Sequence, residues 1–335
     1  MGTPVDQTPE IAREAIARAA NSPGYPMAHG TPELRAAVCD YLRRRWHAVD
    51  LDPAAVLPTM GAKEFVAWLP TFLGLGPGDL VLIPATAYPT YEVGARLVGA
   101  EVLATDDLTA LDAEQIGRTR LIWVNSPANP SGRIWPAERL RQVVRWAREH
   151  DVLVASDECY LEYAWEATAV SILHPDVCDG TTDRLLSVHS LSKRSNLAGY
   201  RAGFVAGDSL HVERILDVRR HSGMMVSKPV QQAMMAVLGD DSHVEVQRER
   251  YHARRELLRD ALGQAGFSID HSEGSLYLWA TRDESCWETV RWCADRGILV
   301  TPGDFYGAAG VRHVRVALTA TDERVKAAAQ RLAFR

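Results

Sequence analysis

The chain has 335 residues, 47% hydrophobic and 24% charged, which excludes disorder, collagen and coiled coil and gives length enough for about two domains. Its 37 basic and 43 acidic residues leave a net charge of -6, so generic nucleic-acid binding is disfavoured. The five cysteines (Cys39, Cys159, Cys178, Cys286 and Cys293) include no Cys-x-x-Cys pair and no metal-ligand spacing, which argues for a reducing compartment without disulfides or a metal. The N-terminus lacks the basic-then-apolar order of a signal peptide, and no apolar run approaches the ~18 residues of a membrane span. The expectation is a cytoplasmic protein with neither membrane nor nucleic-acid partners.

In chain order, Thr8-Pro9-Glu10 and Thr31-Pro32-Glu33 each predict a helix start, with a Thr cap, a Pro at the first position and an acid in the first turn. Gly61-Ala62-Lys63-Glu64 opens a further helix whose free amides can meet an anion. Apolar, β-branched runs predict strands over 80–83, 101–104, 121–124, 152–155, 185–189 and 202–206, alternating with helical segments such as 136–150. That alternation is the pattern of an α/β fold with a mainly parallel sheet flanked by helices. After about residue 240 the rhythm changes to a long charged helix over 243–265, strand 276–280, helix 285–296, strands 298–301 and 311–318 and a helix from Asp322, a smaller α+β unit. The clusters Arg43-Arg44-Arg45, Arg248-Glu249-Arg250 and Arg254-Arg255-Glu256 read as solvated helix surface, because acids are interleaved or the helix end favours cations.

In an open α/β sheet, ligands sit in the crevice at the carboxyl ends of the strands. Chemistry-bearing residues fall there repeatedly. The strand over 185–189 runs into Ser190-Leu191-Ser192-Lys193, with Arg201 eight positions beyond the lysine. The strand over 121–124 runs into a turn-rich segment carrying Asn129, and the strand over 152–155 into Ser156-Asp157-Glu158-Cys159-Tyr160.

The motifs Gly2-Thr3-Pro4, Tyr25 with Gly30 and Leu34-Arg35, Gly61-Ala62-Lys63, Tyr88-Pro89-Thr90-Tyr91, Asn129-Pro130-Ser131-Gly132, Asp157-Glu158-Cys159-Tyr160, Ser190-Leu191-Ser192-Lys193, Arg201 and Arg315 occur in that order along the whole chain. The sequence thereby resembles the fold-type I, pyridoxal-phosphate-dependent aminotransferases of class I/II. The resemblance implies a large cofactor domain over 22–240 on a mainly parallel seven-stranded sheet, and a discontinuous small domain from 1–21 and 241–335.

It also implies roles. Lys193 would form a Schiff base with pyridoxal 5'-phosphate and shuttle the α-proton, both tasks for a neutral amine. Asp157 would pair with the pyridine nitrogen, and Asn129 and Tyr160 with the cofactor's phenolic oxygen. Ser190, Arg201 and the Ala62 and Lys63 amides would hold the phosphate. Tyr88 would stack on the ring. Gly2, Asn129 and Arg315 would meet the substrate, Arg315 gripping its α-carboxylate in preference to Arg312 in the same segment. Tyr25 would reach the phosphate of a neighbouring subunit, making the protein a homodimer with shared active sites.

A finer resemblance to actinobacterial N-succinyldiaminopimelate aminotransferases rests on Gly30-Thr31-Pro32, Ala67-Trp68-Leu69-Pro70, Tyr88-Pro89-Thr90-Tyr91, the segment 189–196 and Pro302-Gly303-Asp304-Phe305-Tyr306-Gly307. It implies N-succinyl-LL-2,6-diaminopimelate and the glutamate/2-oxoglutarate pair as substrates, in diaminopimelate and lysine biosynthesis. His29, His221 and Lys228 are then candidates for the distal, anionic part of the substrate. Transaminases of aspartate, acetylornithine or aromatic amino acids, and a lyase or racemase on the same fold, are the alternatives. Relatives carry a further few tens of residues before the Gly2-Thr3-Pro4 motif, so the resemblance implies either a late start or a missing arm.

Overall fold

The computed structural model describes residues 2–333. Seven strands, β1 (Val56–Met60), β2 (Leu80–Ile83), β3 (Glu101–Ala104), β4 (Thr119–Asn125), β5 (Leu153–Asp157), β6 (Leu185–Ser190) and β7 (Ala202–Gly207), form one sheet in the order β1-β7-β6-β5-β4-β2-β3. All neighbours are parallel except β7, which runs antiparallel to both β6 and β1.

The central strands are apolar at nearly every position because both faces are covered. In β5, Val154 faces a layer that includes Val38 and Leu42 of helix Pro32–Trp46, Val143 and Val144 of helix Ala137–Glu149 and Val237 of helix Lys228–Leu238. Leu153 and Ala155 face the other layer, with Phe65 and Leu69 of helix Ala62–Phe72, Tyr91 of helix Thr90–Leu97 and Ile215 of helix Ser209–His221. The two-residue period sends alternate side chains to opposite cores, each large one contributing about 1.5–3 kcal/mol by burial. The parallel register then brings the ends of β4, β5 and β6 to one edge, with Asn125 opposite Asp157 and Asp157 opposite Val188.

The second sheet is antiparallel, in the order β10-β11-β9-β8, from β8 (Ser268–Asp270), β9 (Tyr277–Thr281), β10 (Thr301–Pro302) and β11 (His313–Ala317). Its core joins Tyr251, Leu258 and Leu262 of helix Ser242–Gln264 to Cys293 of helix Cys286–Ala294 and Val325 and Ala329 of helix Asp322–Ala333. Tyr160 and Tyr163, just beyond β5, enter this core as well.

Several expectations need correction. Arg254 and Arg255 are buried, not solvated: Arg254 holds Asp6 through two hydrogen bonds of 2.7 Å and Asp322 at 2.6 Å, and Arg255 holds Glu166 at 2.7 Å. The long helix is met there by acids from three other segments, at Asp6, Glu166 and Asp322, which the two arginines pair with. Thr8 does not cap the first helix, Glu10–Arg18; its hydroxyl donates to the Asn196 carbonyl and Pro9 occupies the cap position. That helix lies against Lys228–Leu238, and its Ala12 enters the core of the large sheet, although residues 1–21 were expected with the small unit. Among the described residues, no helix is long and apolar enough to cross a membrane.

Candidate active site

Lys193 sits in a single helical turn, Leu191–Arg194, directly after β6. The Ser190 hydroxyl caps that turn by accepting from the Ser192 N–H at 3.2 Å. The Lys193 carbonyl accepts from the Tyr163 hydroxyl at 2.8 Å, and its amine donates to the Gly2 carbonyl. The next residue, Arg194, is buried and fastens the turn from outside. It reaches Glu162 at 3.1 Å, the Val237 carbonyl at 2.6 Å and Asp241 at 2.7 Å, where the long helix begins.

A cavity of about 580 Å³ opens beside Lys193, and Gly2, Ala62, Lys63, Tyr88, Asn129, Asp157, Tyr160, Ser190, Arg201 and Arg315 all line it. Asp157, the last residue of β5, is buried. One of its oxygens accepts from the Tyr91 hydroxyl at 2.8 Å and the other from the Cys159 N–H at 3.2 Å. Burial pushes its carboxyl above the ordinary value, and the hydrogen bonds from Cys159 and Tyr91 only partly oppose this. Behind it, the Asn125 amide donates to the Asp157 carbonyl at 2.9 Å, while the Asn125 oxygen accepts from the Asn129 N–H at 2.7 Å. One asparagine thus sets the spacing between the ends of β4 and β5.

On the opposite wall, Arg315 of β11 donates to the Asn129 side-chain oxygen at 2.7 Å and lies 4.0 Å from the centre of the Tyr277 ring and 5.0 Å from that of Tyr306. Its Nε is buried without a partner, which leaves donor capacity for an anion. The Tyr160 and Tyr277 hydroxyls are 2.9 Å apart, and burial, followed by the Tyr277 neighbour, pushes the Tyr160 phenol well above its ordinary value. Gly2 belongs here for steric reasons, since a Cβ on it would lie 2.1 Å from the Tyr277 hydroxyl.

The third wall is the start of helix Ala62–Phe72. Gly61, at φ 76°, caps it with no side chain, so its first-turn amides are left to whatever occupies the cavity. The Arg201 guanidinium crosses this turn, donating to the Met60 carbonyl at 3.1 Å and the Ala198 carbonyl at 2.9 Å; a Cβ on Gly61 would meet it at 2.5 Å. Only glycine allows the cation so close.

Other expected residues fall elsewhere. Arg312 is exposed and paired with Asp283 at 2.5 Å, so Arg315 alone of the two faces the cavity. Tyr25 is 94% exposed and does not line it. Neither do His29, His221 and Lys228: His29 faces the Ala54 carbonyl at 3.3 Å, His221 is exposed at the end of its helix, and Lys228 lines a separate recess with Arg18 and Thr31. Charge and loop position single out these three, but neither determines which side of a layer a side chain faces. Two residues without an assigned role belong to the site, Tyr91 and Tyr277. Tyr91 already stood in the Tyr88-Pro89-Thr90-Tyr91 motif; Tyr277 lies in an ordinary apolar strand and carries no local signal.

The geometry agrees with what comparison finds. Residues 2–332 match the family described as aminotransferase class I and II. The chain is 57% identical over 332 residues to the Mycobacterium tuberculosis protein named "Probable aminotransferase Rv1178", covering 99% of this chain and 79% of that one. It is 54% identical to the 4-dedimethylamino-4-oxo-anhydrotetracycline transaminase OxyQ of Streptomyces rimosus (99% and 91% covered), and 32% identical to the LL-diaminopimelate aminotransferase of Oleidesulfovibrio alaskensis (99% and 89%). Among solved structures, the Thermus thermophilus aspartate aminotransferase with maleate aligns at a TM-score of 0.89 with 27% identity, covering 99% of this chain and 90% of that one. Likeness to transaminases from end to end, in sequence and in fold, makes this chain a member of the class I and II aminotransferase family, a transaminase that uses pyridoxal phosphate.

Proposed function

We propose that this transaminase exchanges an amino group between glutamate and N-succinyl-2-amino-6-ketopimelate, as an N-succinyl-LL-2,6-diaminopimelate:2-oxoglutarate aminotransferase of lysine biosynthesis, working as a homodimer. The observation that carries this reading is a cavity with cations to spare. Besides Lys193 and Arg201, it holds Arg315 against Tyr277 and Lys63, whose amine is 5.9 Å from the centre of the Tyr88 ring. Two separate cations suit a substrate with a second anionic group far from its α-carboxylate. Relatives named for diaminopimelate support the same class.

The residues present fit the cofactor. A buried carboxylate met only by neutral donors at Asp157 suits a cationic ring nitrogen, and the uncapped helix start beside Arg201 suits a phosphate. Pyridoxal phosphate, when bound, supplies a carbonyl for the amine and an electron sink for the α-carbon. The chain does the rest. Lys193 moves the proton at the α-carbon, Asp157 keeps the ring nitrogen charged, and Asn129 and Tyr160 hold the phenolic oxygen. Ser190, Arg201 and the Ala62 and Lys63 amides hold the phosphate, and Tyr88 covers the ring. Gly2, Asn129 and Arg315 fix the substrate. Tyr25, nearly fully exposed, is free to reach a second subunit.

Guanidinium matches a carboxylate with two parallel donors, which ammonium cannot do. Arg315→Lys is therefore expected to raise KM for glutamate about tenfold or more, with a smaller change in kcat, in steady-state assays.

The 54% identity to a transaminase of a tetracycline precursor favours a second reading, a bulky ring ketone as acceptor. Steady-state comparison with 2-oxoglutarate as acceptor decides, using N-succinyl-diaminopimelate, acetylornithine, aspartate and aromatic amino acids as donors, with the tetracycline ketone tested separately against glutamate. N-succinyl-diaminopimelate is expected to lead in kcat/KM by about tenfold or more. A lead for any other compound overturns the assignment and leaves the transaminase in place.

A further inference from the structure

The turn that opens helix Ala62–Phe72 carries a pair of charges that none of the roles above uses. In a capping box, an acid at the third helical position accepts from the amide of the cap residue. Here the Gly61 N–H donates to the Thr59 carbonyl at 2.7 Å, and the Glu64 carboxylate reaches one residue further back, accepting from the Met60 N–H at 3.2 Å. The Met60 carbonyl, in turn, accepts from Arg201 at 3.1 Å. Met60 is therefore held at both its N–H and its carbonyl, and the glycine turn between Met60 and Ala62 inherits that position.

This arrangement has an electrostatic cost. Glu64 places a negative charge in the first turn of the helix whose start is offered to an anion, and an uncompensated carboxylate there repels the ligand. Arg219 supplies the compensation from another helix. Its side chain is 0% exposed; Nη1 donates to Glu64 at 2.6 Å, Nη2 to the Met224 carbonyl at 3.3 Å, and the guanidinium lies 5.6 Å from the centre of the Phe72 ring. A buried ion pair that served only to join two helices would need no link to the cavity. This one is linked through the Met60 N–H to the backbone that Arg201 grips.

We propose that Glu64 and Arg219 are positioning residues for the cofactor phosphate: Glu64 shapes the Met60–Ala62 turn, and Arg219 cancels the charge that would otherwise oppose the anion. This rests on the reading that the Ala62 and Lys63 amides and Arg201 hold the phosphate. The test is a titration of the apoprotein, in phosphate-free buffer, with pyridoxal phosphate and with pyridoxal, which lacks the phosphate, followed by absorbance of the bound ligand.

Glu64→Ala is expected to weaken pyridoxal phosphate about tenfold and leave pyridoxal within about twofold. Arg219→Met, which strands the carboxylate charge, is expected to cost at least as much. Adding Glu64→Gln to Arg219→Met should then recover pyridoxal phosphate binding, because glutamine keeps the acceptor for Met60 without the charge. Equal losses for both ligands, or no recovery in the double variant, would mean that the pair only braces the helices, and the proposal falls. If Arg219→Met does not fold, the comparison of ligands on Glu64→Ala decides alone. Arg201→Met separates the effect of the Glu64–Arg219 pair from that of the phosphate site. Phosphate preference lost there but kept in Glu64→Ala overturns this proposal only, whereas preference kept in Arg201→Met overturns the phosphate site itself.

Discussion

Replacing Lys193 with alanine is expected to lower transamination between glutamate and 2-oxoglutarate by about 10⁴-fold or more, because in the proposed function one side chain both captures the cofactor and moves the proton. The same change should bleach the protein: wild type is expected to be yellow after pyridoxal phosphate is added, and Lys193→Ala to lose that visible band. The fold should survive, since the lysine amine is held by the Gly2 carbonyl while the turn itself rests on Ser190, Tyr163 and Arg194. Circular dichroism matching wild type, beside an inactive and colourless variant, is the expected result. A colourless wild type, or a variant that keeps its colour, would count against Lys193 as the attachment point.

Asp157→Asn is expected to move activity and stability in opposite directions. The carboxyl is raised above its ordinary value by burial, with hydrogen bonds from Cys159 and Tyr91 pulling the other way. A carboxyl raised on folding contributes stability that is fully present below its unfolded pKa and is lost as pH rises through the folded value. The apoprotein is therefore destabilised toward neutral pH by its own Asp157. Asparagine carries no charge, and the Tyr91 hydroxyl can turn to accept from its amide. The apo variant should melt a few degrees above apo wild type at pH 8, with no gain at pH 4, by thermal fluorimetry. With cofactor bound, kcat/KM should fall about 10²–10³-fold, because the group proposed to keep the ring nitrogen charged is gone. An apo variant less stable than wild type at pH 8 would show that Asp157 is not strained by burial.

The central sheet was legible because its parallel strands are apolar on both faces. β1 was not: Pro58 and Thr59 break the apolar run, and the strand lies at the sheet edge beside β7. β8 is three residues with two largely exposed ends, and the strand expected over 298–301 pairs only at Thr301–Pro302, because Leu299 points to solvent. Strand ends also located Lys193, Asp157 and Asn129, since the ends of parallel strands converge on one edge. Arg315 needed the family likeness to separate it from Arg312; in the structure, Arg315 within β11 lines the cavity, whereas Arg312, in the turn before that strand, pairs with Asp283 outside it. Tyr277 and Arg219 were beyond reach, because their significance comes from partners more than a hundred residues away, Tyr160 and Glu64.

Arg194 lies next to the lysine in sequence, yet its partners Glu162 and Asp241 come from two other segments, and both it and Glu162 are nearly without solvent. Losing one member of such a buried pair typically costs about 3–5 kcal/mol, enough to endanger the fold before any chemistry is touched. The three side chains thus act as one structural unit. The neighbourhood of the lysine is held still by residues that do not line its cavity.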